Sequence, residues 1–144
     1  MGRKSEGDEE IISDGFLADT SVWVNFFRDK SNRETEILTN ALYTNEPFFI
    51  CPVILMEILQ GVKKDSDYFT LKEMMLSMEM LEIEHIESAI GAAELYRNLR
   101  KKGFTIKKSN DCLIAYYSLY FNIPLLHNDS DFDLIAKHTA LKIM

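Results

Sequence analysis

The feature that most limits how this chain can fold is a set of short, unbroken apolar runs, each followed at once by a helical pattern. Phe16-Leu17-Ala18 leads into Asp19, Thr20 and Ser21 and then Val22-Trp23-Val24. Phe48-Phe49-Ile50 leads into Pro52 and a helix that closes at Gly61, and Leu125-Leu126-His127 leads into Asn128-Asp129-Ser130-Asp131. Strands this apolar are buried on both faces, and strands that alternate with helices form a parallel sheet covered on both sides. In sheets of that kind, ligands gather beyond the carboxyl ends of the strands.

Helical spacing over about residues 32–43, 67–78 and 86–102 supplies further covering elements, the last of them closed by Gly103. Ser109 is placed to cap a helix whose inward residues are Leu113, Ile114, Tyr117 and Phe121, and Thr20 and Ser21 offer cap hydroxyls for the first helix. Short strands are expected at residues 81–83 and 141–143. Tyr116, Tyr117, Tyr120 and Phe121 are expected to divide between the core and an interface. The length, 144 residues, is that of one domain, with no internal repeat or linker.

The composition, 47% hydrophobic and 27% charged, belongs to a globular protein, and no apolar run approaches the roughly 20 residues that cross a bilayer. Residues 1–14 carry Glu6, Asp8, Glu9, Glu10 and Asp14 against Arg3 and Lys4, the reverse of a secretory leader, and are expected to form a disordered acidic arm ahead of a domain over residues 15–144. The expected location is therefore the cytoplasm, with no membrane partner. Cys51 and Cys112 lie in apolar surroundings without metal-ligand spacing and read as buried thiols. A net charge of −7 argues at first against a nucleic-acid partner, but the arm holds much of that excess. Beyond it stand 14 basic and 18 acidic side chains out of the total 16 and 23, and four acids set aside for a cation would leave the remainder balanced.

Four acids break the local pattern. Asp19 and Asp129 each follow an apolar strand, so both arrive at the same sheet edge. Asp111 falls in the first turn of a helix, where the dipole favours its charge. Glu57 interrupts Val53-Ile54-Leu55-Met56 and Ile58-Leu59, where it either lies on a narrow solvent face, pairs with a lysine such as Lys63, or serves a site. Clustered, these carboxylates would raise one another's pKa unless a cation held them. A set of hard oxygens suits magnesium, or manganese in its place, and leaves room for phosphate oxygens and water. Zinc suits the chain less well, because His85, His127 and His138 show no ligand spacing with one another or with the cysteines. No GxxxxGK[ST], GxGxxG or GxSxG occurs.

Four segments in order, Asp19-Thr20-Ser21-Val22-Trp23 with Phe26-Phe27-Arg28, Glu57-Ile58-Leu59-Gln60-Gly61, Lys108-Ser109-Asn110-Asp111-Cys112-Leu113-Ile114-Ala115, and Leu126-His127-Asn128-Asp129-Ser130-Asp131-Phe132, closely resemble PIN-domain ribonucleases. The nearest group is the VapC toxins of bacterial VapBC toxin–antitoxin pairs, and the resemblance spans residues 15–144. It implies an α/β/α sandwich around a mainly parallel sheet. It also implies a magnesium-dependent endoribonuclease, usually a homodimer, inhibited by a VapB-like antitoxin and directed at structured RNA such as tRNA or rRNA loops. By position, Asp19, Glu57 and Asp111 match the first three acids and Asp129 the fourth, with Asp131 a further metal or water ligand. Ser21 matches a supporting hydroxyl, although capping explains it equally well. Asn25 and Ser130 stand where related toxins often carry an acid and a base.

The stretch holding Arg97, Arg100, Lys101, Lys102, Lys107 and Lys108 leads straight to Asp111 and is a candidate RNA phosphate contact, with Phe104 a candidate stacking ring; cations at a helix end also complement its dipole. A haloacid-dehalogenase-like phosphatase would need an acid where Ser21 stands, and a receiver domain would need an acidic pair near the first strand. The remaining rival is a catalytically silent PIN-fold module that binds protein or RNA, against which the retention of all four acids argues.

Overall fold

A computed structural model describes residues 15–144; the expected acidic arm lies outside the described residues. Phe16–Ala18 forms β1, which runs through Asp19 into helix α1, Thr20–Phe27. Helix α2 (Arg33–Thr44), strand β2 (Phe48–Ile50), helices α3 (Pro52–Gln60) and α4 (Asp65–Leu76) and strand β3 (Glu79–Met80) follow. The chain ends with α5 (His85–Lys101), α6 (Ser109–Phe121), β4 (Leu125–Leu126) and α7 (Ser130–His138).

The strands line up as β3-β2-β1-β4, every pair parallel, with Leu17 opposite Phe49 on one side and Leu125 on the other. Strand β1 is central, and Phe16, Leu17 and Ala18 are almost wholly buried, as an unbroken apolar run requires. The chain leaves β1 toward β2 and β3 and returns at the far side as β4, so β1 and β4 flank the point where strand order reverses. A crevice opens at such a point past the carboxyl ends, where Asp19 and Asp129 stand.

Seven helices flank the sheet among the described residues, in agreement with the expected α/β/α architecture. Helix α1 packs on α2 and α3, α3 on α4 and α6, and α6 on α5 and α7. Trp23, fully buried, stacks with Phe27 and lies edge-on to Phe26, so the α1 face is fixed by aromatic packing. Tyr117 and Phe121 belong to the core, whereas Tyr116 and Tyr120 are half-buried. Cys51 and Cys112 are buried free thiols, held protonated by burial, which pushes them up to about 12 and about 11. No described helix is long and apolar enough to cross a membrane.

Two expected strands shift. Residues 81–83 are not a strand: β3 lies just before them, and the buried Leu81 extends it only by donating its amide to Ile50 O at 2.8 Å. The reason is partner length, since β2 stops at Ile50 and α3 begins at Pro52, leaving no ladder for Ile83. Residues 141–143 reduce to one parallel bridge, Leu125 to Ile143, which nevertheless covers the open edge of β4. The helix starts also move by one residue. Asp19, not Thr20 or Ser21, caps α1, and Lys108, with extended backbone and no side-chain cap, precedes α6, which puts Ser109 inside the first turn.

Helices α5 and α6 approach closely at Gly91, where an added Cβ would collide with the Tyr116 ring. Gly91→Ala in an open helix would stabilise by about 1 kcal/mol. Here it is expected to destabilise by roughly 1–2 kcal/mol through forced displacement of Tyr116, read as a lower urea midpoint with an unchanged slope.

Candidate active site

Asp19 owes its place to being both the residue after β1 and the N-cap of α1. Its Oδ2 accepts the Ser21 amide at 2.9 Å and the Ser21 hydroxyl at 2.6 Å, and the side chain is 4% exposed. Burial raises its pKa against the lowering effect of the Ser21 bonds, and the charge of Glu57 raises it further. Ser21 therefore does not cap; its hydroxyl gives its proton to Asp19 and accepts the Asn128 amide at 2.8 Å, tying the end of β1 to the loop after β4.

Asp129 repeats the device on β4. It caps α7, with Oδ1 accepting the Asp131 amide at 3.0 Å, while Oδ2 takes Lys108 Nζ at 3.0 Å. Burial pushes Asp129 up, but the Asp131 amide and Lys108 outweigh it and hold the pKa below the usual carboxylate range. Its own amide donates to Nδ1 of buried His127, whose Nε2 faces Asp133 Oδ1 at 3.1 Å.

Asp111 is 3% exposed on the first turn of α6, and its Oδ2 is buried with no hydrogen-bond partner among the described residues. Burial lifts its pKa to about 7; Lys108 lowers it, and Asp129, Asp19 and Asp131 raise it. One carboxylate oxygen from each of Asp111, Asp129 and Asp131 lies within 4.8 Å of the others, the one such group among the described residues. Both candidates for the last acid thus reach the site: Asp129 lines the cavity, and Asp131 joins the carboxylate group without lining it.

Glu57 is half-buried and does not pair with Lys63. Thr20 Oγ1 donates to its Oε1 at 2.5 Å and Asn110 Nδ2 to its Oε2 at 3.2 Å, so neutral donors fix it without cancelling its charge. Asp19, Glu57, Asp111 and Asp129 line one cavity of about 320 Å³, together with Thr20, Ser21, Asn25, Gln60, Lys108 and Asn128. An acidic concavity with a buried oxygen lacking any donor fits a hard divalent cation bound through carboxylates.

The residues of the basic stretch lie in different surroundings. Lys108 is in the acidic cavity, Lys102 donates to His138 O at 2.9 Å, and Arg100 lies over the Tyr96 ring. Phe104 stacks on His138 with centroids 4.0 Å apart, so that ring face is already covered. Arg97, Lys101 and Lys107 remain exposed, and Arg97 lines a mostly apolar groove beside Asn110 and Ser109. Thr20, Asn110 and Asn128 were not legible as site residues, although each adjoins a singled-out acid. The Asn25 amide donates to Asn128, whose own amide reaches Glu34, so the departure at Asn25 makes part of the cavity rim an amide network.

The PIN domain family model matches residues 16–138. A VapC ribonuclease of Mycobacterium bovis is 34% identical over 128 residues, 88% of this chain and 95% of the relative, as is ribonuclease VapC11 of Mycobacterium tuberculosis. Ribonuclease VapC of Rickettsia bellii is 30% identical over 136 residues, covering 90% of this chain and 96% of its own. Among solved structures, VapBC2 from Rickettsia felis, bound to a promoter DNA fragment, aligns at a TM-score of 0.71 with 22% identity, over 90% of this chain and 97% of that one.

The Asp111 carboxyl ties stability to pH. Because the folded form holds the proton up to about 7 and an ordinary aspartic carboxyl releases it near 3.8, its contribution to stability is complete at low pH and is lost as pH rises through about 7. In EDTA at pH 8, Asp111→Asn is expected to be more stable than the parent by on the order of 1–3 kcal/mol, with the gain gone near pH 4, by denaturant melts across that range.

Proposed function

The chain belongs to the PIN-domain family, and from that premise we propose that it is a metal-dependent endoribonuclease acting as the toxin of a VapBC-type toxin–antitoxin pair. The observation that carries the reading is the grouping of one oxygen each from Asp111, Asp129 and Asp131 within 4.8 Å of one another, beside a buried Asp111 Oδ2 that no described residue satisfies. Its VapC-named relatives span nearly the whole chain, which makes RNA the substrate to test first.

Asp19, Asp111 and Asp129 would hold one magnesium, with Asp131 as an additional ligand; Glu57 would serve a second cation or orient the water. A bound magnesium, or manganese in its place, supplies Lewis acidity that eases deprotonation of the attacking water and neutralises charge on the phosphate oxygens. The protein's own work is positional. Ser21 holds Asp19 against the Asn128 loop, and Thr20 and Asn110 hold Glu57 at the cavity wall. The water oxygen bonds to phosphorus as the bond to the 3′ oxygen breaks, so the products carry 5′-phosphate and 3′-hydroxyl ends. The antitoxin would cover the acidic cavity with a cationic side chain. The functional unit would be a homodimer, and the target a structured loop of tRNA or rRNA.

Incubation of total bacterial RNA with the purified protein and magnesium is expected to yield discrete cuts, abolished by EDTA and reduced at least about 100-fold by Asp19→Asn or Asp111→Asn. A primary 2′,3′-cyclic phosphate would overturn the hydrolytic route, and intact RNA with a folded, metal-loaded protein would favour the silent binding module. Charge reversal at Arg97 and Lys101 is expected to weaken RNA binding and flatten its salt dependence by about one unit of slope per lost phosphate contact. An unchanged slope in filter binding would assign those cations to the end of α5 alone.

A further inference from the structure

Both oxygens of Asp129 are engaged by the protein. Oδ1 takes the Asp131 amide, and Oδ2 takes the ammonium of Lys108 at 3.0 Å. The same ammonium acts on Asp111, three residues further along and buried with an unsatisfied oxygen. Whichever Asp129 oxygen a divalent cation took would already have a protein partner, and at Oδ2 that partner is a like-charged competitor, the Lys108 ammonium. Lys108 is built to yield that oxygen. Its backbone is extended at the head of α6, it makes no capping bond, and its side chain is 61% exposed. A pair so open to water is weak, and at equal distance a dication attracts a carboxylate twice as strongly as an ammonium does.

We infer that Lys108 is a tethered counter-ion of the acidic site: it competes with the divalent cation for Asp129 Oδ2 and, once displaced, presents its ammonium to a phosphate of the bound RNA. The inference rests on the reading that the acids hold a divalent cation. It separates Lys108 from the other cations of the segment, because Lys108 lines the acidic cavity while its neighbour Lys107, equally charged, does not. It also explains why a nuclease cavity can carry a lysine: the residue limits repulsion among the acids before the cation arrives and meets substrate charge afterwards.

Calorimetric titration of Mn2+ into the full chain tests the first half. Lys108→Met is expected to bind Mn2+ about three- to tenfold more tightly than the parent at low salt, with the difference shrinking as salt rises, and Lys107→Met is expected to stay within about twofold. Equal or weaker binding by Lys108→Met overturns the competition. A Lys108→Met effect matched by Lys107→Met does so as well, since it would reflect net charge alone. Steady-state cleavage tests the second half: Lys108→Met should raise KM for RNA several-fold at saturating metal while Lys108→Arg restores it, and an unchanged KM overturns the phosphate contact. If neither the parent nor any variant binds Mn2+, the metal reading itself fails, an outcome distinct from binding that ignores Lys108.

Discussion

The parallel pairing of β1 with β4 is the constraint on which the site depends. It sets Leu17 beside Leu125 and Ala18 beside Leu126, and the Asp19 amide continues the ladder to Leu126 O at 2.9 Å. The residues leaving those strands are thereby brought to one edge, and each strand is followed by an aspartate that starts a helix. Backbone pairing, not attraction between side chains, brings like charges together. Asp111 carries a buried oxygen that meets no donor among the described residues, and burial first, with Asp129, Asp19 and Asp131 adding to it, lifts its pKa to about 7.

The supporting bonds keep that arrangement rigid. The Ser21 hydroxyl bridges the β1 end to the β4 loop, and His127 accepts the Asp129 amide while leaning on Asp133. Glu57 is reached by residues from α1 and α6, so three helices meet at one carboxylate. A site assembled this way has its carboxylates oriented before any ligand is present, which is the condition for electrostatic work on a phosphate. Residue types that hold charges without neutralising them, Thr, Ser and Asn, do most of the holding.

Much of this was legible in the sequence because burial on both faces leaves a continuous apolar signature and because an acid in a run such as Val53 to Leu59 contradicts its surroundings. Asp19, Glu57, Asp111 and Asp129 could be singled out for that reason, and all four line one cavity. What escaped were features decided by direction, not composition. Lys107 and Lys108 are the same residue type side by side, and only the turn into α6 sends one of them to Asp129. Asn110 is an ordinary first-turn residue until α3 and α6 pack, and residues 81–83 alternate like a strand because Leu81 and Ile83 are buried, although the ladder has run out of partner. The cap of α1 moved by one residue because Asp19, Thr20 and Ser21 are all competent caps and only backbone geometry chooses.

That Asp19 and Asp129 are helix caps as well as site acids has a consequence for the history of such a gene. Asparagine caps a helix about as well as aspartate, so one nucleotide change can remove a carboxylate while the helix still begins in the same place. A lineage burdened by a harmful activity has a short route to a harmless chain that still folds and still occupies whatever partner recognises its shape. The signature of such a copy would be an amide at a strand end with the rest of the molecule intact.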